Sequence, residues 1–420
     1  MTEHYDAMET RSPAEREATL MAALPAQVAR AQASCAPFAE SLSGVDARGI
    51  ESRAELAKLP VLRKPALFER QRASIASDPF GGFSTIGWRG LKHPAGARRV
   101  FQSPGPIYEP EGLGADYWRI ARALFAAGFR GGDLIHNSFS YHLTPAGSMM
   151  ETGALALGCS VFAGGVGNTE LQIQAMSELK PHAYCGTPSF LRILLEKAAE
   201  TGVALPSLSK ALVSGEAFPP SLRDWLRERG IEGYQCYATA DVGLIAYETS
   251  AREGLVLDEQ VILEIVRPGT GDPVTDGEVG EVVITSLNPD YPLIRFGTGD
   301  LSAVLAGQCP SGRTNTRIKG WLGRADQTAK VRGMFVHPSQ VAEVVRRHPE
   351  LGRARLVVSG EMANDQLTLR VECGAEIEGL AERVAQTVRD VTKLRATVEL
   401  CAPASLPNDG KVIEDARSYA

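Results

Sequence analysis

His182-Ala183-Tyr184-Cys185-Gly186, then Thr187-Pro188-Ser189 opening a helical run to Thr201, then Lys210-Ala211-Leu212-Val213: this stretch decides the fold. Two short apolar runs flank one helix-period segment. That spacing predicts strand, helix, strand, the crossover that joins parallel neighbours. The same alternation extends both ways. Upstream, Tyr117 to Phe129 reads as a helix ended by Gly131-Gly132, and Asp133 to Phe139 as a strand. Ala146 to Leu157 reads as a helix ended by Gly158, Cys159 to Ala163 as a strand and Thr169 to Leu179 as a helix. Downstream, Leu222 to Arg229 reads as a helix and Gly233 to Tyr237 as a strand. The expected fold class is α/β, a mostly parallel sheet covered by helices on both faces.

Around this core the texture changes. Residues from about 13 to 75 look helical, broken at Leu59-Pro60 and Lys64-Pro65, and 75–115 read as loops with short strands. From about 244 to 318, strand and turn patterns predict a β-rich subdomain, with 261–266 and 280–285 as antiparallel partners. The remainder predicts a small, mobile α+β domain: helix 340–347, strands 355–359 and 366–372, helix 377–391 and strand 397–401. The expected division is a large domain, 1–325, and a C-terminal domain, 326–420.

The 420 residues carry a net charge of −6 with 44% hydrophobic residues, a soluble, mildly acidic composition that argues against nucleic acid as a partner. No run approaches the roughly 18 apolar residues that span a bilayer. The polar, acidic start Met1-Thr2-Glu3-His4-Tyr5-Asp6 is unlike a signal peptide, so a cytoplasmic location is expected. Seven scattered cysteines without a Cys-x-x-Cys pair read as reduced thiols.

Several short motifs carry chemistry. Tyr237-Ala238-Thr239-Ala240-Asp241-Val242-Gly243 lies beyond a parallel strand, where α/β sheets bind ligands. Asp241 there reads either as a helix cap or as a carboxylate holding Mg²⁺ against phosphate oxygens. Arg295-Phe296-Gly297-Thr298-Gly299-Asp300 reads as a hairpin turn or as a carboxylate accepting from a ribose diol. Gly323-Arg324-Ala325-Asp326 with Val331-Arg332-Gly333, and Leu406-Pro407-Asn408-Asp409-Gly410-Lys411, read as a charged linker and an exposed lysine loop when taken singly.

Their order is more specific than any one of them. Together with Gly167-Asn168-Thr169-Glu170, Gly186-Thr187-Pro188-Ser189, Gly215-Glu216-Ala217, Pro292-Leu293-Ile294-Arg295 and Arg332-Gly333-x-x-Val336-x-Pro338-Ser339-Gln340, the chain resembles the phenylacetate–CoA ligase branch of the adenylate-forming superfamily over roughly residues 50–420. The resemblance implies an AMP-forming carboxylate–CoA ligase acting on an aromatic or other small acid, with ATP, Mg²⁺ and coenzyme A, and a homodimeric assembly. It implies that Gly215, Glu216, Ala217, Tyr237 and Ala238 line an adenine pocket, and that Asp300 and Arg324 bind ribose. Asp241 would face the metal, and Lys411 would bridge carboxylate and α-phosphate. Asp326 would be the hinge of the small domain, and Gly333 would border the pantetheine tunnel. Phe139, Tyr141 and His142 are the candidates for the acid pocket. Arg313, Arg317 and Lys319 read as contacts to CoA phosphates or as a solvated loop.

Three departures stand out. The loop Ser103-Pro104-Gly105-Pro106-Ile107-Tyr108-Glu109-Pro110 keeps Ser103, Gly105 and Pro110 of a phosphate loop but carries Glu109 where a lysine is expected. Asp241 and Ala240 stand in place of Glu and Thr. Cys309 stands with Ser311 where a second zinc-binding cysteine is expected, so no zinc is predicted. The degenerate loop keeps two alternatives open: an AMP- or CoA-binding homologue without turnover, and acyl transfer to an acceptor other than CoA.

Overall fold

The computed structural model describes residues 3–88, 96–267, 269–325, 329–332, 334–336, 338–360, 364–374, 377–407 and 411–417. Contacts divide the chain into two compact units, Met1–Leu322 and Gly323–Ala420.

The first unit is built on a nine-stranded sheet. Five strands run parallel in the order Ser160–Ala163, Leu134–Asn137, Ala183–Gly186, Lys210–Val213, Glu232–Thr239. The order doubles back between the first two strands, as expected of crossover units with helices on the faces. The helices Ala146–Ala156, Thr169–Leu179, Pro188–Glu200 and Pro220–Arg227 are those crossovers. Thr187 caps the third by accepting from Phe190 N, with Pro188 at its start, which explains the sharp strand-to-helix turn quoted above.

After Glu232–Thr239 the sheet turns antiparallel, through Gly243–Tyr247, Leu255–Leu257, Arg317–Ile318 and Val304–Leu305. A second sheet pairs Val261–Val266, Gly280–Ser286 and Phe296–Ser302 antiparallel, with Leu62–Arg63 added in parallel. The expected antiparallel pairing of 261–266 with 280–285 is therefore present. The strands expected over 244–318 divide between the two sheets: the outer ones extend the large sheet, and those of 261–302 build the second with Leu62–Arg63. Alternation along one strand says which face is apolar, not which neighbour it pairs with.

The predicted helix at 117–129 is shortened to Ala121–Ala126. Arg119 takes φ +64, and the Asp116 carboxylate accepts from the amides of Ile120 and Ala121 at 2.9 and 3.0 Å. An acidic side chain thus supplies the acceptors that an earlier helical turn would have supplied.

Both strands Val261–Val266 and Gly280–Ser286 are buried along their whole length. Glu264 is therefore enclosed, and Arg295 meets it with Nε–Oε2 at 2.9 Å and Nη2–Oε1 at 3.0 Å. The remaining guanidinium protons go to the carbonyls of Ala57, Leu59 and Gly271. This fixes the chain entering Phe296–Ser302, the strand that carries Asp300.

The N-terminal segment ties down the loop around Cys309. Thr314 N donates to Glu9 O at 3.0 Å, Arg313 pairs with Glu9 at 3.1 Å, and His4 Nε2 lies 3.1 Å from Ser311 O. Cys309 Sγ is 3.1 Å from Ser311 Oγ and 3.6 Å from Thr249 Oγ1. Arg317 is likewise buried, bound to Glu253 and to the carbonyls of Ala306 and Gly307. The reading of Arg313 and Arg317 as CoA-phosphate contacts or as solvated residues is thus corrected. Both are internal ties, and only Lys319 of the three is exposed.

The second unit has a sheet in the order Thr397–Cys401, Gln366–Cys373, Leu351–Ser359, Ile413–Asp415. It carries the helices Pro338–Arg347 and Leu380–Thr392 and the ribbon Ala329–Val331 with Met334–Val336. Its core holds Val341, Val344, Leu356, Val358, Leu369, Val371, Val384 and Val388. No helix among the described residues is long and apolar enough to cross a membrane.

Candidate active site

The C-terminal ends of Lys210–Val213 and Glu232–Thr239 lie side by side, with Val213 opposite Gln235. Gly215, Glu216 and Ala217 follow the first strand, and Tyr237 and Ala238 end the second, so the topology brings the five expected adenine-pocket residues to one edge. Gly215 has φ +80, a left-handed turn that glycine adopts without strain. Glu216 is half-buried and accepts from Ser189 Oγ at 2.5 Å. Ser214 Oγ donates to Cys236 O at 2.8 Å and locks the two strand ends together.

Asp300 is buried, and both of its oxygens are engaged. Tyr237 OH donates to Oδ2 at 2.8 Å, and Trp321 Nε1 to Oδ1 at 3.1 Å. Thr298 Oγ1 accepts from the Asp300 amide at 3.1 Å and lies 3.2 Å from Tyr237 OH. A carboxylate accepts at up to about four lone-pair positions. Among these residues Trp321 escaped the sequence reading. Its place two residues before Gly323-Arg324 was the available signal.

The phosphate-loop stretch forms a hairpin, Arg99–Ser103 with Ile107–Glu111, Ser103 facing Ile107 across the turn. The Gln71 side chain clamps it: Tyr108 N donates to Oε1 and Nε2 donates to Tyr108 O, each at 2.8 Å. An amide side chain here serves as one more strand neighbour. Glu109 is fully buried. Its carboxyl accepts from Ser103 N at 3.3 Å and from Ser103 Oγ. Burial, reinforced by the nearby Asp241, holds the Glu109 carboxyl well above the usual carboxylate range, against the opposing pull of Ser103 and Lys64.

Asp241 is also buried, at 4% exposure. Lys64 Nζ lies 2.9 Å from its Oδ2 as an ion pair, while Oδ1 has no hydrogen-bond partner. Lys64 also sits 5.9 Å from the centre of the Phe296 ring. An unpartnered, buried carboxylate oxygen fits a single contact to Mg²⁺, which keeps most of its waters and takes few protein ligands. Among the described residues no group of three or more His, Cys, Asp or Glu is placed to hold a metal. Neither Lys64 nor Gln71 was singled out from sequence. Lys64-Pro65 was read only as a break, whereas it opens the helix Lys64–Ser74.

The acid-pocket candidates separate. Phe139 is buried in the core with Phe101 and Trp118. Tyr141 is half-buried, with its hydroxyl accepting from Asn137 Nδ2 at 2.8 Å. His142 is exposed. Tyr141 lines a groove of about 530 Å³ with Arg99, Phe101, Gln102, Tyr108 and Leu143. In the second unit, Lys411 is exposed and its carbonyl accepts from Arg355 Nε at 3.3 Å, and Arg324 is half-buried. Asp326, Gly333 and residues 408–410 lie outside the described residues.

Residues 119–288 match the model of the AMP-binding enzyme family, and 333–415 match that of the AMP-binding enzyme C-terminal domain. The chain belongs to the AMP-binding enzymes. Within them it falls in the phenylacetate–CoA ligase-like branch of adenylate-forming enzymes. It is 29% identical to the phenylacetate–coenzyme A ligase of Thermus thermophilus over 403 residues, 87% of each chain. It is 29% identical to that of Aromatoleum evansii over 388 residues, 86% of this chain and 84% of the relative. Among solved structures, 2-hydroxyisobutyryl-CoA ligase, in complex with its acyl-AMP and CoA, matches with a TM-score of 0.81 at 25% identity, over 100% of this chain and 93% of that one. The α/β architecture expected from the 182–213 stretch is thus the adenylate-forming fold.

Proposed function

We propose that this AMP-binding enzyme is an AMP-forming carboxylate–CoA ligase acting on an aromatic or other small acid through an acyl-adenylate. The observation that carries the reading is the buried Asp300 carboxylate, held between Tyr237 and Trp321 beside the Gly215–Ala217 turn. A buried acid bonded to Tyr237, at the C-terminal end of a parallel strand, suits a nucleoside diol. The named activities of the relatives support the reading.

In the proposed first step an oxygen of the substrate carboxylate attacks the α-phosphorus of ATP, the bond to the bridging oxygen breaks, and pyrophosphate leaves. Tyr237, Ala238 and the Gly215–Ala217 turn hold adenine, and Asp300 and Arg324 hold ribose. Lys411 places positive charge where the carboxylate and α-phosphate meet, stabilising the anionic transition state. Asp241 would hold Mg²⁺, which when bound draws charge from the triphosphate oxygens. In the second step the CoA sulfur attacks the acyl carbon, and AMP leaves as the carbon–oxygen bond to phosphate breaks. Asp326 is the proposed hinge between the steps, and Gly333 the point where pantetheine passes the backbone.

The clamped hairpin favours a second reading, an AMP- or CoA-binding homologue without turnover. One experiment separates them: acid-dependent pyrophosphate release with MgATP over a panel of aromatic and short-chain acids, in the unaltered chain and in Lys411→Ala. The ligase reading expects release with at least one acid, and loss of about 100-fold or more in the variant. No release with any acid, together with tight AMP or CoA binding by calorimetry, would establish the second reading instead.

A further inference from the structure

A phosphate loop ordinarily presents backbone amides and a lysine. Here its amides are spent on a hairpin and on Gln71, and its lysine position is a buried glutamate turned towards Ser103. A tetra-anionic triphosphate needs a cation from elsewhere in the fold. We infer that Lys64 is that cation: its ammonium, seated on the buried Asp241 carboxylate beside the hairpin, meets the β- and γ-phosphates in place of the missing loop lysine. The assignment rests on the adenylating reading above.

Three observations lead to it. The first is layering. The Asp241 side chain is fully enclosed, whereas the Lys64 side chain keeps 32% of its surface exposed. Of the pair, Lys64 is therefore the partner whose side chain reaches the surface. The second is placement. Leu62–Arg63 lies parallel to Phe296–Gly297, and Lys64 Nζ approaches the Phe296 ring. Phe296 and Asp300 belong to one strand, Phe296–Ser302, so Lys64 packs against the strand that carries the proposed ribose acid.

The third is coupling to the loop. Gln71, on the same helix as Lys64, holds Tyr108 of the hairpin by two hydrogen bonds. Lys64 and the hairpin are thus one construction. The neighbouring cation Arg63 is committed elsewhere, to Glu281 at 3.1 Å and to Thr270 O. Lysine suits the task as a compact, flexibly mounted charge that meets phosphate as a point charge.

Calorimetry on the full chain with ATP and with AMP, each with Mg²⁺, tests the assignment. Lys64→Met keeps the stem and removes the charge. It is expected to weaken ATP binding about tenfold or more and to change AMP binding by less than about twofold, with Lys64→Arg retaining most of the ATP affinity. If stranding the Asp241 charge unfolds Lys64→Met, Asp241→Asn against Lys64→Met/Asp241→Asn makes the same comparison without the buried anion. An ATP-to-AMP affinity ratio that does not depend on Lys64 overturns the assignment and leaves the adenylating reading standing. An unaltered chain that binds no AMP overturns both.

Discussion

Replacing Asp300 with asparagine changes one oxygen to an amide and leaves the volume alone. In the free protein Asp300 accepts from Tyr237 at 2.8 Å and from Trp321 at 3.1 Å. Asparagine keeps one carbonyl oxygen for one donor and turns an amide against the other. Tyr237 still has Thr298 Oγ1 at 3.2 Å, so the fold should lose only about 1 kcal/mol. The consequence for ligand is larger. A ribose diol offers two hydroxyl donors to one carboxylate, and at least one charge-assisted bond is lost, worth about 1.5–3 kcal/mol. That predicts AMP binding weaker by about 10- to 150-fold. The assay is calorimetric titration with AMP and with 2′,3′-dideoxy-AMP, which has no diol to lose. The dideoxy nucleotide should bind the unaltered chain and Asp300→Asn alike, within about threefold. Equal weakening of both nucleotides would refute the ribose assignment, because the substitution would then be acting through the pocket walls. No change in either would place the nucleotide elsewhere.

Two further outcomes concern the scaffold. Arg295→Met leaves Glu264 charged and enclosed and removes donors from three carbonyls, so it should destabilise the first unit by about 3–5 kcal/mol, read as a lowered urea midpoint. A loss below about 1 kcal/mol would mean that the pair is not enclosed in solution. His136 is buried, bonded to Gln172 at 2.7 Å and stacked on Phe162, and burial lowers its pKa against the opposing pull of Gln172. Its unfolded form therefore takes up a proton first, so its contribution is full above about pH 6.5 and declines as pH falls below it. The melting temperature of His136→Gln should fall less between pH 7 and pH 5 than that of the unaltered chain, and parallel curves would exclude His136 from the acid response.

The parallel core was legible because each of its strands is a short apolar run bounded by turn residues, with a helix of regular period between. Thr169–Leu179 and Lys210–Val213 occur at the expected residues. The helix expected from Tyr117 was shortened because one acidic side chain, Asp116, caps the chain four residues later than pattern alone suggests. Candidate site residues borne on ordered motifs, such as Tyr237 and Asp300, could be named in advance. Lys64 and Gln71 could not, since each acts across more than 35 residues of sequence on a partner with no local mark. Periodicity reports burial along one segment and carries no information about such long-range pairs.

Glu109 in place of a loop lysine suggests repulsion towards phosphate, and at about 4 Å two like charges would repel by roughly 4 kcal/mol at an effective dielectric of 20. That penalty requires an ionised carboxylate facing the ligand. The structure has a carboxyl with no exposed surface, bonded to Ser103 and favouring its neutral form because of burial and Asp241. Asp241 is met by Lys64 at 2.9 Å and so is itself a paired charge. The loop has therefore lost an attraction without acquiring a repulsion of comparable size. One missing attraction can be supplied by one cation, and Lys64, the member of the trio with Glu109 and Asp241 that has accessible side-chain surface, is its proposed source. The substitution thus moves the phosphate-binding charge from a loop to the start of a helix. Its cost should appear in affinity for the triphosphate, and not in the contacts to adenine and ribose.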